Sequence, residues 1–256
     1  MFNLNNKGII ITGASKGLGA VCAKALAKEG ARLVLFARSY ELLEQTRNAC
    51  ANNQKHLSIA VDLTSAPALG AAIVKAEDFL QKVDVVLHVA GGGLGLRDPF
   101  ISSLDLDQLL TLNLKVPVEI NRLILPQMIH NKKGNIVHIG STASTEAVAS
   151  VGYNTVKGAL AAYVRSLGRE VAGSGVIVTG ILPGGFYAPG NSWERLEKNK
   201  PEVVKQFIKQ RLPRGFLGTA EELIPMILLL CSDSASMMGG CLVPIDAGEG
   251  RTYLTP

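Results

Sequence analysis

Gly8-Ile9-Ile10-Ile11-Thr12-Gly13-Ala14-Ser15-Lys16-Gly17-Leu18-Gly19 is the stretch that decides the reading of this chain. A β-branched apolar run of strand length breaks into a turn with glycines at 13, 17 and 19, and a helical pattern follows. Glycine permits the tight turn and lets the backbone approach a bound group closely. The free amides and positive dipole end of the following helix favour a pyrophosphate, so Gly13, Ser15, Lys16, Gly17, Leu18 and Gly19 are candidate dinucleotide-binding residues. Three spaced glycines alone are weak evidence, and a bare strand-to-helix turn is the competing reading. The strand before and the helix after give the motif its weight.

The same rhythm continues outward. Further runs at 31–37 (ARLVLFA), 56–62 (HLSIAVD), 83–91 (VDVVLHVAG), 134–141 (GNIVHIGS), 175–184 (GVIVTGILPG) and 241–248 (CLVPIDAG) bring the predicted strands to seven. Helical patterns near 17–29, 40–52, 65–81, 105–131, 152–173 and 219–232 separate them. Runs apolar on both faces fit a parallel sheet covered on each side, which predicts an α/β fold of repeated βαβ units, doubly wound, with helices on both faces. No linker or fixed-period repeat interrupts residues 1–256, so a single domain is predicted. Residues 185–214 break the rhythm with Gly, Pro and aromatics followed by a highly charged helical stretch. Lying after the carboxyl end of a strand, that segment is predicted to form a lid over the ligand crevice.

Composition narrows the classes. Apolar residues make up 47% of 256 and charged residues 18%, which excludes disorder. The longest apolar stretch, near 226–231, is too short for a membrane span. The opening MFNLNNKG lacks a secretory pattern, so a cytoplasmic location is expected. Cys22, Cys50, Cys231 and Cys241 show no CxxC and read as ordinary buried thiols; neither a disulfide framework nor a metal site is expected. A net charge of +5 without a Lys/Arg run argues against nucleic acid.

The second strand ends Phe36-Ala37-Arg38-Ser39, where a dinucleotide-binding fold selects its ribose. A carboxylate there would accept the 2′-hydroxyl of NAD. This chain offers Arg38 and, from the glycine loop, Lys16, which favour the 2′-phosphate of NADP(H). The alternative for Arg38 is a solvated charge at a strand end. Asp62 and Leu63 end the third run and would flank the adenine; Ala90 and Gly91 end the fourth and would let the cofactor lie against the backbone.

Tyr153-Asn154-Thr155-Val156-Lys157 lies on the predicted helix after the fifth strand, with phenol and ammonium on one face. A neighbouring cation favours the phenolate, moving the tyrosine toward useful acidity. Ser141 stands twelve residues earlier, at the end of the strand, and could hydrogen-bond a reacting oxygen. Alone, Ser141 fits a strand-end cap and Asn113 a helix kink equally well.

Together these residues resemble the short-chain dehydrogenase/reductase family: TGASKGLG at 12–19, Asp62-Leu63, Ala90-Gly91, Asn113 in TLNLK, Ser141 in IGS, Tyr153, Lys157, Pro183-Gly184 and Ile245-Asp246-Ala247-Gly248. The resemblance covers nearly the whole chain and is strongest to 3-oxoacyl-(acyl-carrier-protein) reductases. It implies a Rossmann-type sheet and hydride transfer between a nicotinamide and a carbonyl or alcohol carbon. By that resemblance Tyr153 is the general acid/base, Lys157 lowers its pKa and holds the nicotinamide ribose, Ser141 orients the substrate oxygen and Asn113 holds a relay water. Pro183, Gly184 and Phe186 fall at the nicotinamide end. A homotetramer or dimer is likewise implied.

The chain also departs from the family. Its Asn-Asn-Ala-Gly is His88-Val89-Ala90-Gly91 here, and a histidine ending a buried strand is more often structural than catalytic. The interval from Ser141 to Tyr153 is one residue shorter than common, with Ser144 as a reserve for Ser141. Gly185-Phe186-Tyr187-Ala188 lacks the usual threonine after Pro-Gly. Between 192 and 214 seven basic residues face three acidic ones, which would draw an anionic substrate unless they merely solvate a helix. The leading expectation is an NADP(H)-dependent reductase of a ketone or 3-oxoacyl group, or oxidation of a secondary alcohol. The alternatives are a sugar, nucleotide-sugar or polyol dehydrogenase and a catalytically silent NADP-binding sensor or scaffold.

Overall fold

All seven predicted runs form strands of one parallel sheet: β1 (Gly8–Thr12), β2 (Arg32–Ala37), β3 (Leu57–Ala60), β4 (Val85–His88), β5 (Gly134–Ile139), β6 (Val176–Pro183) and, last in the chain, β9 (Leu242–Ile245). The computed structural model describes residues 2–252. The strand order is β3-β2-β1-β4-β5-β6-β9, so the chain reverses direction across the sheet between β1 and β4. A crevice for ligand opens at the carboxyl ends of the strands beside such a reversal. Side-chain alternation sends Ile9 and Ile11 to one face and Ile10 to the other, and all three are fully buried.

On the first face α1 (Gly17–Lys28), α2 (Tyr40–Asn48) and α9 (Ala220–Leu230) pack through Leu18, Leu26, Leu43, Leu223 and Ile227. On the second, α3 (Ala66–Leu80), α5 (Val116–His130) and α6 (Val151–Val171) pack through Leu69, Ile120, Ile124, Leu160 and Val164. The predicted helix at 105–131 is not continuous: α4 (Ser103–Leu110) passes through one π-helical turn, Thr111–Lys115, into α5. Such a turn widens the helical repeat by about one residue and is frequent at functional sites.

The segment after β6 contains a two-stranded parallel pair, β7 (Phe186–Tyr187) with β8 (Gly218–Thr219), and two helices, α7 (Ser192–Asn199) and α8 (Pro201–Arg211). It has a small core of its own, Val204, Leu212 and Leu217, against which Trp193 and Phe207 pack with ring centroids 4.4 Å apart and planes tilted by 46°. One expectation on the cysteines needs correcting. Cys22, Cys50 and Cys231 are buried thiols, whereas Cys241 is exposed, because it precedes β9 in the turn that leads into that strand. Among the described residues no helix is long and apolar enough to cross a membrane.

Candidate active site

The glycine turn joins β1 to α1 under tight steric limits. Gly13 and Gly17 have φ of 68° and 59°, and a Cβ on Gly19 would sit 2.2 Å from the Gly13 carbonyl oxygen. A side chain at 13 or 19 would therefore strike the backbone of the loop after β4 or of the turn itself, and the bare turn at the start of α1 fits the pyrophosphate of a dinucleotide. The Lys16 side chain is exposed and Ser15 half-buried, while Leu18 anchors α1 in the core. Thr12 Oγ1 accepts from the Val89 and Ala90 amides at 3.0 and 3.1 Å, which ties the loop after β4 to the glycine turn. From the segment after β6, the Pro189 carbonyl accepts from the Gly17 amide at 3.0 Å.

Arg38 is exposed at the end of β2 and lies near enough to Asp62 to help hold its carboxyl below the ordinary range, after the stronger bonds from Thr64. Asp62 Oδ1 accepts from the Thr64 amide and hydroxyl at 3.0 and 2.7 Å. Leu63 is buried in the core behind it. The Ser39 hydroxyl caps α2, accepting from the Leu42 amide at 3.4 Å.

Asn113 sits in the π turn and is 1% exposed. Its carboxamide accepts from Gly92 N and donates to Gly92 O, each at 3.0 Å, and donates to Leu109 O at 3.0 Å. A Cβ on Gly91 would lie 2.9 Å from Asn113 Oδ1 and 3.5 Å from Lys157 Nζ, so this bare backbone fills the space between them. Ser141 caps the short turn Thr142–Ser144, its hydroxyl accepting from Ala143 N at 3.1 Å, and also reaches the Tyr153 phenol. The Ser144 hydroxyl oxygen is buried without a hydrogen-bond partner among the described residues.

Tyr153 and Lys157 share a face of α6, as their spacing predicts, with Nζ 5.6 Å from the ring centroid. Lys157 Nζ donates to Ile139 O at 2.9 Å. The tyrosine's acidity runs opposite to the sequence expectation. Burial pushes the phenol up to about 12, and the Ser141 hydroxyl only partly opposes it. Burial likewise pushes Lys157 down to about 8. The cation lies over the ring face while the phenolic oxygen is withdrawn from water, so desolvation dominates.

At the other wall, Pro183 is buried and Gly184 N donates to Ile245 O at 3.1 Å. Gly185 N donates to Glu249 at 2.6 Å, a buried carboxylate that sequence reasoning missed because no local pattern marks it. Phe186 lies in β7, half-buried against the core of the first face. The cationic excess of the neighbouring segment is partly offset. Lys198, Lys205, Arg211 and Arg214 pair with Glu194, Glu202, Glu146 and Glu222, and two of those carboxylates lie outside 192–214.

The family profile described as short chain dehydrogenase matches residues 7–199. Among curated relatives, the ketoacyl reductase HetN of Nostoc sp. strain PCC 7120 is 35% identical over 187 residues; the match covers 72% of this chain and 65% of that protein. The 3-oxoacyl-[acyl-carrier-protein] reductase FabG of Aquifex aeolicus is 28% identical over 251 residues, covering 96% of this chain and 98% of that one. Gluconate 5-dehydrogenase of Gluconobacter oxydans is 28% identical over 252 residues, covering 97% and 96%. Among solved structures, levodione reductase superposes with a TM-score of 0.89 at 24% identity, covering 99% of this chain and all (100%) of that one, a likeness of fold.

Proposed function

The chain belongs to the short-chain dehydrogenase family, most like its ketoacyl reductases, and on that premise we propose an NADP(H)-dependent oxidoreductase that acts on a ketone or 3-oxoacyl group, or on a secondary alcohol in reverse. The observation that carries this reading is that Asn113 and Lys157 meet at the bare backbone of Gly91, while Tyr153, on the same face of α6 as Lys157, lies beside Gly93 and within reach of Ser141. A pure binding module has no use for a buried phenol beside a buried ammonium, which speaks against a silent sensor.

The bound nicotinamide would supply or accept the hydride. Gly13, Ser15, Gly17, Leu18 and Gly19 would hold its pyrophosphate, Lys16, Arg38 and Ser39 the 2′-phosphate end, Asp62 and Leu63 the adenine, and Ala90, Gly91, Pro183, Gly184 and Phe186 the nicotinamide end. Tyr153 would give its proton to the substrate oxygen in reduction and take it back in oxidation, with Ser141 orienting that oxygen. Lys157 would hold the nicotinamide ribose and Asn113 the relay water. Burial keeps the phenol protonated at neutral pH, the state in which it would donate to the substrate oxygen. Residues 185–214, single-domain neighbours of the crevice, act in this reading as a lid over a small-molecule substrate. A polyol dehydrogenase is the second reading, favoured by the similarity to gluconate 5-dehydrogenase. Glu146 and Glu222, from outside the segment, offset part of its cationic excess, and Arg195, Lys200 and Lys209 form no ion pair among the described residues, so a draw on an anionic substrate stays part of this reading. The cytoplasm is the compartment that suits an NADPH-linked reductase.

The cofactor reading is tested by titrating NADPH and NADH while following the fluorescence of Trp193, the only tryptophan, which lies in α7. Charge-assisted bonds to the 2′-phosphate should make NADPH bind roughly 10- to 100-fold tighter, and Arg38→Ala should remove most of that gap. Equal or tighter NADH binding overturns the phosphate-reading role of Arg38. A homotetramer joined through α5 and α6 accords with the family; sedimentation at micromolar concentration should give the mass of four chains, and a single-chain mass would refute it.

A further inference from the structure

His88 and His138 face each other across the register of β4 and β5 and stack, with ring centroids 4.5 Å apart and planes 14° apart. Both are buried, at 3% and 0% exposure. One carboxamide, that of Asn121 on α5, reaches both rings. Its Oδ1 lies 2.8 Å from His88 Nε2, and its Nδ2 lies 3.4 Å from His138 Nε2 and 3.0 Å from the Tyr163 hydroxyl on α6.

This arrangement dictates the protons. The oxygen end can only accept, so His88 carries its proton on Nε2; the nitrogen end can only donate, so His138 Nε2 is bare and its proton is on Nδ1. Turning the carboxamide over would exchange the two roles and still leave the rings opposite. Opposite tautomers give the stacked rings opposed dipoles, which attract. Both Nδ1 atoms are buried without a partner among the described residues, so the neutral pair leaves one N–H unpaired, on His138; a proton added to His88 would leave a second, and one added to His138 would set Nε2–H against an N–H donor. The pair is therefore neutral. Burial holds His88 down at about 4 and His138 well below the ordinary range, with the charges of His88 and Lys157 adding to the latter.

The site lies one residue further along the same strand. Ile139, next to His138, supplies the carbonyl that receives Lys157 Nζ at 2.9 Å. The titratable or charged groups facing the stack are Tyr163 and Lys157 on α6 and each imidazole for the other; α5 presents the neutral Asn121. We propose that the His88–His138 stack, locked in opposite neutral tautomers by Asn121, positions Lys157 by keeping the carboxyl end of β5 in register and free of positive charge beneath the ammonium. The proposal rests on the reading of Lys157 as part of the hydride-transfer site.

Nitrogen-15 imidazole spectra of the wild-type protein should show His88 and His138 as opposite neutral tautomers, without titration, between about pH 6 and 8. Two rings in one tautomer, or either ring protonated in that range, would overturn the proposal with no variant needed. Asn121→Asp places an acceptor against both rings and should draw a proton onto one of them in the neutral range. The acid limb of kcat should then rise by about one pH unit or more with KM unchanged, and His138→Gln in that background should restore it. An imidazole that titrates in Asn121→Asp while kcat follows the wild-type profile would also overturn it. Failure of the hydride-transfer reading is separately visible, as a Tyr153→Phe variant of unchanged activity with the tautomer pattern intact.

Discussion

Tyr153→Phe is expected to lower kcat by roughly 10²- to 10⁴-fold, the range that one positioned general acid contributes. The change is nearly pure in chemical terms. The ring stays, close to Gly93, where a Cβ would lie 3.7 Å from Tyr153 Cδ2, and Lys157 Nζ keeps its place over the ring face. Only the hydroxyl goes, with the Ser141 bond it receives, so the folding cost should be about 1 kcal/mol. NADPH affinity, read through Trp193, should change by less than about threefold, since in the proposed reading most of the cofactor contact would come from the glycine turn and the end of β2. The measurement is steady-state turnover with NADPH over a panel of ketones and 3-oxoacyl thioesters, alongside thermal unfolding. A variant that keeps kcat within about threefold of wild type would remove Tyr153 from the chemistry and with it the proposed mechanism.

The legible parts of this molecule are those whose cause is local. The runs GIIIT, LVLFA and VVLH have no polar alternation because their strands are covered on both faces, and that burial leaves its mark directly in the sequence. The glycines of the turn declare themselves because few other residues fit there, and Tyr153 and Lys157 because four residues make one helical turn. What stayed hidden depends on distant partners. The π turn at Asn113 leaves the apolar pattern of 105–131 unchanged, so the helix reads as continuous although its carboxamide is turned toward Gly92. The charge of residues 192–214 reads as wholly uncompensated until Glu146 and Glu222, remote in sequence, are brought against Arg211 and Arg214. The acidity of Tyr153 is hidden for the same reason: spacing reveals the neighbouring ammonium but not the burial that raises the phenol. Asn121 did carry a signal, a polar residue beside Ile120 and Ile124 on the buried stripe of α5, whose meaning needed both histidines in view.

Lys157→Met should make the protein more stable and nearly inactive at once. The ammonium is 4% exposed, and it gains a single neutral acceptor, Ile139 O, in exchange for its hydration. Burial brings its pKa from the ordinary 10.5 to about 8, which corresponds to roughly 3 kcal/mol of unfavourable free energy while the group is charged in both folded and unfolded states. A methionine of similar length removes that cost and loses one hydrogen bond, so a gain of about 1–3 kcal/mol is expected at pH 7. The sign with pH follows from linkage. Between about 8 and 10.5 the unfolded chain still binds the proton that the folded chain has released, so this group makes wild-type stability rise with pH through that window. Above 10.5 neither state carries the charge and the difference vanishes. Denaturant unfolding at a series of pH values should therefore show the variant well above wild type at pH 7 and the two curves converging by about pH 10. Turnover should fall by about 10²-fold or more, because the ammonium proposed to serve the phenol and the ribose is gone. A variant less stable than wild type at pH 7, or one whose advantage does not shrink as pH rises, would mean that Lys157 is stabilised where it lies and is not held there at the fold's expense for its role beside Tyr153.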